Sequence, residues 1–151
     1  MEQLQGAKAP VHLWIVGLVS LLWNSFGCYD YLMTRARNTD YLSSAMPGVD
    51  PKVMLDYVDS FPMIAQVGWG LGVWGALLGS VLLLIRSRHA VLAFALSFLG
   101  MILSLGYQIV LAPPPPELNE GAMAYMPYVI ILVGVALLYY ANVQKKKGVL
   151  R

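Results

Sequence analysis

The residues most able to do chemistry in this sequence are five polar side chains in otherwise apolar segments: Asn24, Asp30, Gln66, Tyr107 and Gln108. Amides and phenols hydrogen-bond hydroxyl-rich or zwitterionic solutes. The sequence has no glycine-rich phosphate loop, no metal-spaced cluster of histidines and carboxylates, and no nucleophile beside a base. Any site should therefore serve binding rather than catalysis, and we expect no enzymatic activity, no cofactor and no metal.

Asp30 has two open interpretations. As an interfacial residue it lies in the last turn of its helix near water, with Arg37 about 20° away on the helical wheel if the helix continues. As a functional residue it is the charged member of a pocket that Gln66 and Gln108 reach from neighbouring helices, because an unpaired carboxylate is costly to bury in a membrane. The same polar groups can also simply satisfy one another where helices separate.

The composition indicates a membrane protein. The chain has 151 residues, of which 58% are apolar and 12% charged, about half the charged fraction of a soluble domain. This length suits a single domain. Cys28 is the only cysteine, which excludes an intramolecular disulfide and a cysteine-rich metal site. We expect the lipid bilayer to be the main partner and expect no nucleic-acid partner.

Four windows contain no Asp, Glu, Lys or Arg: residues 9–29, 60–85, 90–116 and 121–144. Each is long enough to cross a bilayer, which takes about 20 helical residues. They must be helices, because an open strand would leave backbone groups unpaired in lipid. The sequence therefore predicts an all-α, integral membrane four-helix bundle with spans near 11–33, 62–85, 89–112 and 122–142.

The basic residues predict the orientation, since Lys and Arg stay preferentially on the cytoplasmic side of short loops. With both termini inside, the cytoplasmic side carries seven basic residues and Glu2, and the outer side carries Arg35, Arg37 and Lys52 among six acidic residues. The seven are Lys8, Arg86, Arg88, Lys145, Lys146, Lys147 and Arg151. Both termini are therefore predicted to be cytoplasmic.

The two outer connections differ in kind. Residues 34–61 form a long periplasmic segment in which Val53, Met54, Tyr57, Val58 and Phe61 recur at helical spacing. This pattern predicts a short amphipathic helix, lying against the outer membrane face or over the mouth of the bundle. The PPPPELN stretch, residues 113–119, cannot continue a helix and predicts a stiff, polyproline-like cap.

Small residues predict which helices touch, because close packing drives association between helices in lipid. One stripe runs along the second span and another along the third: Gly68, Gly72, Gly75 and Gly79, then Ala93, Ser97, Gly100 and Ser104. In an antiparallel hairpin, partners at equal depth have residue numbers with a constant sum. The pairs 79 with 93, 75 with 97, 72 with 100 and 68 with 104 obey this rule. A third stripe predicts that Asn24 faces protein.

Three stretches carry a resemblance to known proteins: HLWIVGLVSLLWNSFGCYDYLMTRARN, the segment from DSFP through GWGLGVWGALLGSVLLL, and KKKGVLR. In these the chain resembles a group of small four-helix inner-membrane proteins of proteobacteria that are often labelled sugar transporters. The resemblance spans most of the chain and implies a bacterial inner membrane and a four-helix layout. It implies no catalytic or binding residues.

Two functions remain open. One is a non-enzymatic subunit or scaffold of a homo-oligomer or a larger membrane complex. The other is a carrier for a small, sugar-like solute, with a periplasm-facing site around Asp30, Gln66 and Gln108. A single four-helix bundle with a tightly packed centre leaves little room for a path, so a carrier would have to dimerise. We favour the subunit.

Overall fold

The computed structural model describes residues 8–151, which fold entirely into helices, turns and connecting segments. Six α-helices follow in order: α1 Val11–Arg35, α2 Thr39–Ala45, α3 Pro51–Asp59, α4 Met63–Leu84, α5 Ala90–Val110 and α6 Met126–Lys146. Helices α1, α4, α5 and α6 are long and apolar enough to cross a membrane. The prediction of an all-helical fold with four such helices is confirmed.

Helix α6 begins later than predicted. Residues Gly121–Ala124 form a separate 3-10 turn, which starts at a glycine in the left-handed conformation with φ 57°. Pro127 then occupies the first turn of α6, a position that tolerates proline because no intrahelical partner is needed for its nitrogen. The helix also runs on to Lys146, where lysines interact favourably with the negative end of the helix dipole.

Helices α1 and α4 both end with an arginine in the left-handed conformation, Arg37 at φ 56° and Arg86 at φ 60°. Beyond α1, the amide of Asn38 donates to the carbonyl of Met33 at 3.0 Å, and that of Arg37 to Thr34 at 3.0 Å. This pair of bonds defines a Schellman motif, in which glycine is the usual left-handed residue. The same motif closes α4, so both helices end sharply at a charged side chain.

The long helices pack in chain order, α1 on α4, α4 on α5 and α5 on α6. The contact between α4 and α5 is the closest, because backbone meets backbone there. A Cβ atom built on Gly100 would lie 2.6 Å from both the carbonyl oxygen of Gly68 and the amide nitrogen of Gly72. One built on Gly75 would lie 3.0 Å from the Cβ of Ser97. The predicted small-residue stripes therefore lie against each other.

Two further contacts extend the same hairpin. A Cβ on Gly68 would lie 3.2 Å from the amide nitrogen of Ser104, its predicted partner. Gly79 lies against the ring of Phe94, and the neighbouring Ala93 is buried at 6% exposure. The Ser97 hydroxyl donates a 2.5 Å hydrogen bond to the carbonyl of Gly72, which adds a polar link between the two backbones.

One end of the bundle is closed by the last residues of the chain. Val149 and Leu150 are buried in a hydrophobic cluster with residues of all four long helices, among them Leu13 and Leu83. The backbone amide of Arg151 donates to the carbonyl of Arg86 at 2.8 Å. The amide of Arg88 donates to the carbonyl of Arg151 at 3.1 Å. This tail, residues 149–151, therefore ties α6 to the turn between α4 and α5.

At the other end, residues 34–61 hold two short helices rather than the one that the sequence predicts. Helix α3 coincides with the predicted amphipathic helix, and α2 was missed. Asn38 caps α2 by accepting a hydrogen bond from the amide of Tyr41 at 2.9 Å, as polar residues at that position commonly do. Leu42 and Met46 of α2 pack against Leu118 in a second, smaller hydrophobic cluster.

Tyr57 fastens α3 to the end of α5. Its hydroxyl donates a 2.8 Å hydrogen bond to the carbonyl of Ala112, and its ring lies edge to face against Phe61. Burial, and to a lesser degree the nearby Tyr107, raises the pKa of Tyr57 to about 12, from an ordinary value of about 10. The phenol therefore remains a donor at neutral pH, and α3 lies over the end of the bundle.

The contact between α4 and α5 makes a direct prediction for Gly100. Gly100→Ala should lower the unfolding free energy by about 1–3 kcal/mol, because the new methyl group overpacks two backbones. Gly106→Ala on the same helix is the matched control, since its Cβ would meet only a methyl of Ile102 at 4.0 Å. That change should stabilise the helix by up to about 1 kcal/mol. Thermal unfolding in detergent measures both, and equal melting temperatures would contradict the packing described here.

Candidate functional site

Asn24 lies between α1 and α4, where it is 8% exposed. Its amide nitrogen donates to the hydroxyl of Ser80 at 2.8 Å and to the carbonyl of Ala76 at 3.2 Å. Ser80 in turn donates to the same carbonyl at 3.0 Å. Asn24 therefore faces a neighbouring helix, as its stripe predicts, and its hydrogen bonds join two helices instead of lining a cavity.

Asp30 is paired with α2. Its carboxylate accepts a 2.8 Å hydrogen bond from the hydroxyl of Tyr41. Burial, and after it the hydrogen bond to Asp30, raises the pKa of Tyr41 far above its usual value, so the phenol stays protonated. Among the described residues Arg37 forms no salt bridge with Asp30, because α1 stops at Arg35 and the chain turns. Arg37 instead forms a 2.5 Å ion pair with Asp59. The helical-wheel argument that placed Arg37 near Asp30 required the helix to continue, and α1 ends at Arg35.

Tyr107 and Gln108 occupy a third location, near the end of α5. The Gln108 amide donates two long hydrogen bonds of 3.4 Å to the carbonyl and hydroxyl oxygens of Ser104. The ring of Tyr107 lies 5.9 Å from that of Phe61, edge to face. Within residues 8–151 no hydrogen bond joins Asp30, Gln66 and Gln108 to one another. Gln66 and Tyr107 both contact Phe61, whereas Asn24 and Asp30 lie in contacts of their own.

Gln66 lies in a polar cavity of about 200 Å³ that the end of α1, helix α3 and the start of α4 enclose. The amide nitrogen of Gln66 donates to the carbonyl of Phe61 at 2.9 Å. Its amide oxygen accepts from a guanidinium nitrogen of Arg35 at 3.2 Å. Seven residues line this cavity, which is the candidate site: Thr34, Arg35, Arg37, Leu55, Val58, Asp59 and Gln66.

The candidate site carries a net positive charge, from two guanidinium groups and one carboxylate. The ion pair of Arg37 with Asp59 is about half exposed on both sides, so water weakens it. Arg35 bonds to a neutral amide and, in the part of the chain that the structure describes, forms no salt bridge. The hydroxyl of Thr34 is buried and has no hydrogen-bond partner. The cavity is thus cationic, and one of its lining residues carries a hydroxyl without a hydrogen-bond partner.

Sequence reasoning identified one residue of this site, Gln66, and missed the others. Arg35 and Asp59 entered only the charge count used for orientation, and Arg37 entered that count and the helical-wheel argument about Asp30. A usable signal was the pair of arginines two positions apart at the end of a span, together with an acidic residue just before the next span. What no pattern revealed is the turn at Arg37 that brings them together.

A second cavity, of about 330 Å³, lies between α1 and α6. Its walls are apolar, with Val19 and Trp23 on one side and Leu137 on the other. At the end nearest the tail the two helices meet again, where a ring nitrogen of His12 and the hydroxyl of Tyr140 lie 2.5 Å apart. Among the described residues, no group of three or more His, Cys, Asp or Glu side chains can hold a metal ion.

The four long helices define the class of molecule, a multi-pass helical membrane protein. Comparisons with protein-family models, with curated proteins and with solved structures find no match.

Asn24 and Ser80 make a prediction for the contact between α1 and α4. Asn24→Ala should lower the unfolding free energy by about 1 kcal/mol, the size of an interhelical hydrogen bond in membranes. In a double-mutant cycle with Ser80→Ala, the two losses should not add, because both remove the same bond. Ser25→Ala is the control, since Ser25 is an exposed neighbour on the same helix. Fully additive losses would show that the two side chains act independently.

Proposed function

We propose that this protein is a non-enzymatic subunit or scaffold of a homo-oligomer or larger complex in the bacterial inner membrane. The observation that carries the proposal is the closed centre of the bundle. Helices α4 and α5 meet backbone to backbone at Gly72 and Gly100, and no residue of α5 lines either cavity described above. A solute path along this interface would have to separate those backbones.

The distribution of charge supports an orientation with both termini cytoplasmic. Arg86 and Arg88 lie beside Arg151, at the same end as the three lysines that close α6. Glu2, which the charge count also placed at this end, lies outside the described residues. The opposite end carries the acidic residues of α2 and α3.

A thiol introduced at exposed Ser44 should react with a membrane-impermeant reagent on intact cells, and one at Lys146 only after lysis.

Helix α6 leaves the most surface for a partner. Only 11% of its apolar window is buried within the chain, against 39% for α5. Leu132 is 69% exposed and Tyr139 is 70% exposed. In lipid, neighbouring helices can replace acyl chains on such a face without any loss of apolar contact. This face of α6 therefore supports assembly with further membrane helices.

Native mass spectrometry after extraction in mild detergent tests the proposal. We expect more than one chain per particle, or additional membrane subunits that purify with it. Leu132→Ser on α6 should reduce that assembly, because it places a hydroxyl at a contact between apolar helices. Leu92→Ser on α5 is the matched control, since Leu92 is also an exposed leucine, at 59%. A single chain without partners, in several detergents and in nanodiscs, would contradict the proposal.

The carrier for a small, sugar-like solute remains the second candidate. It is favoured by the polar cavity, which contains Gln66 at the end of the bundle that the charge distribution places outside. A carrier should give protein-dependent uptake of sugars into proteoliposomes, and Asp30→Asn should abolish it if that carboxylate takes part. The subunit proposal expects no uptake above that of protein-free liposomes, so the two functions are distinguished in one assay.

A further inference from the structure

We propose that the candidate site binds a phosphate group, either on a phospholipid headgroup or as free phosphate. Two independent features of the cavity point to this ligand: its excess of guanidinium charge and its buried, unpartnered hydroxyl. The inference goes beyond the subunit proposal and does not depend on the number of chains in the assembly.

The charge of the site matches one negative charge. Arg35 and Arg37 supply two positive charges and Asp59 one negative charge, which leaves one positive charge uncompensated. Arg35 uses one nitrogen on the amide of Gln66, and its planar group retains further N–H donors. Guanidinium groups bind phosphate through paired, charge-assisted hydrogen bonds. Asp59 neutralises the charge of Arg37 only. An oxyanion in the cavity would therefore supply the charge partner that Arg35 lacks.

The hydroxyl of Thr34 supplies the second feature. Thr34 is 2% exposed and lines the cavity, yet its oxygen has no hydrogen-bond partner. Leaving a polar group buried without a partner is costly. Gln144 has the other unsatisfied buried side-chain atom among the described residues, and it lines neither cavity described above. Thr34 therefore differs from Gln144 in being a residue that lines a cavity, and a bound ligand would have to bring an acceptor oxygen to its hydroxyl.

The position of the cavity along α1 suits a phosphate group at the membrane surface. Leu55 and Val58 of α3 complete the lining of the cavity, whose accessible surface is mostly polar. Arg35 is the last residue of the 25-residue helix α1, a length that spans the hydrocarbon core of a bilayer. In a membrane, the cavity would thus lie at the level of the phosphate groups. A lipid headgroup and a soluble phosphate share the chemistry that the site recognises.

The first arm of the experiment uses free phosphate. Wild-type protein in a detergent without phosphate groups is titrated with inorganic phosphate and with glycerol 3-phosphate, and binding is followed by calorimetry and thermal unfolding. The second arm uses lipid. Protein in nanodiscs of phosphatidylglycerol or phosphatidylcholine is released for native mass spectrometry, and bound lipids are counted. Binding in the first arm assigns the site to free phosphate, and retained phosphatidylglycerol in the second assigns it to a headgroup.

Arg35→Gln should weaken binding at least about tenfold in whichever arm is positive, because a charge-assisted pair is lost. Lys52→Gln is the control, since Lys52 is an exposed basic residue of α3 that pairs with Asp56 and does not line the cavity. Arg37→Gly should also weaken binding while keeping the left-handed turn, which glycine adopts readily. These variants therefore separate a loss of charge from a loss of fold.

Thr34→Val separates a ligand-binding hydroxyl from a merely buried one. The valine should weaken phosphate binding several-fold, and it should raise the melting temperature without ligand, because an unsatisfied donor is removed. The proposal is overturned if neither arm distinguishes monodisperse Arg35→Gln from wild type. If Arg35→Gln does not fold, unchanged binding by both Thr34→Val and Arg37→Gly overturns it equally.

Discussion

The rest of the structure depends on the contact between the backbones of α4 and α5. Without side chains at Gly68, Gly72 and Gly100, the two helices approach closely enough for main-chain atoms to touch. Between helices in lipid, this packing replaces the water-driven attraction that holds soluble bundles together. The hydroxyl of Ser97 adds a hydrogen bond to the carbonyl of Gly72, so the hairpin has both dispersion contacts and a polar link.

The other helices are arranged around this hairpin. Helix α1 joins it through Asn24 and its bonds to Ser80 and Ala76, while α6 lies on the free side of α5. The tail closes one end by bonding to the turn of the hairpin, and α3 closes the other by bonding to the end of α5. The candidate site is formed where α3 and α4 meet the end of α1, so one of its walls belongs to a helix of the hairpin.

Much of the fold could be predicted from the sequence because its signals are local or periodic. Charge-free windows predicted the four long helices, and the spacing of Gly68 through Gly79 indicated the face that meets α5. Helix α2 was missed because it has only 7 residues and its cap, Asn38, follows the preceding helix almost directly. A short helix of this kind leaves little periodicity to detect.

The candidate site was largely missed for a different reason. Arg35 and Asp59 are separated by 23 positions that include two turns and two short helices, and no pattern in the sequence states where those turns lead. The polar cluster that was predicted assumed that groups at one depth converge. Depth along a helix is readable from sequence, but the direction in which each side chain points around the bundle depends on packing. Asp30 accordingly pairs with Tyr41, and Gln66 with Arg35.

The two arginines at the ends of α1 and α4 have a consequence for how this chain can vary. A left-handed residue other than glycine is strained by about 1–2 kcal/mol, so glycine at Arg37 or Arg86 would relax the turn. The same change would also remove a charge, at one end from the polar cavity and at the other from the basic residues beside Arg88 and Arg151. Relief of backbone strain and retention of a charge are therefore competing demands at these two positions.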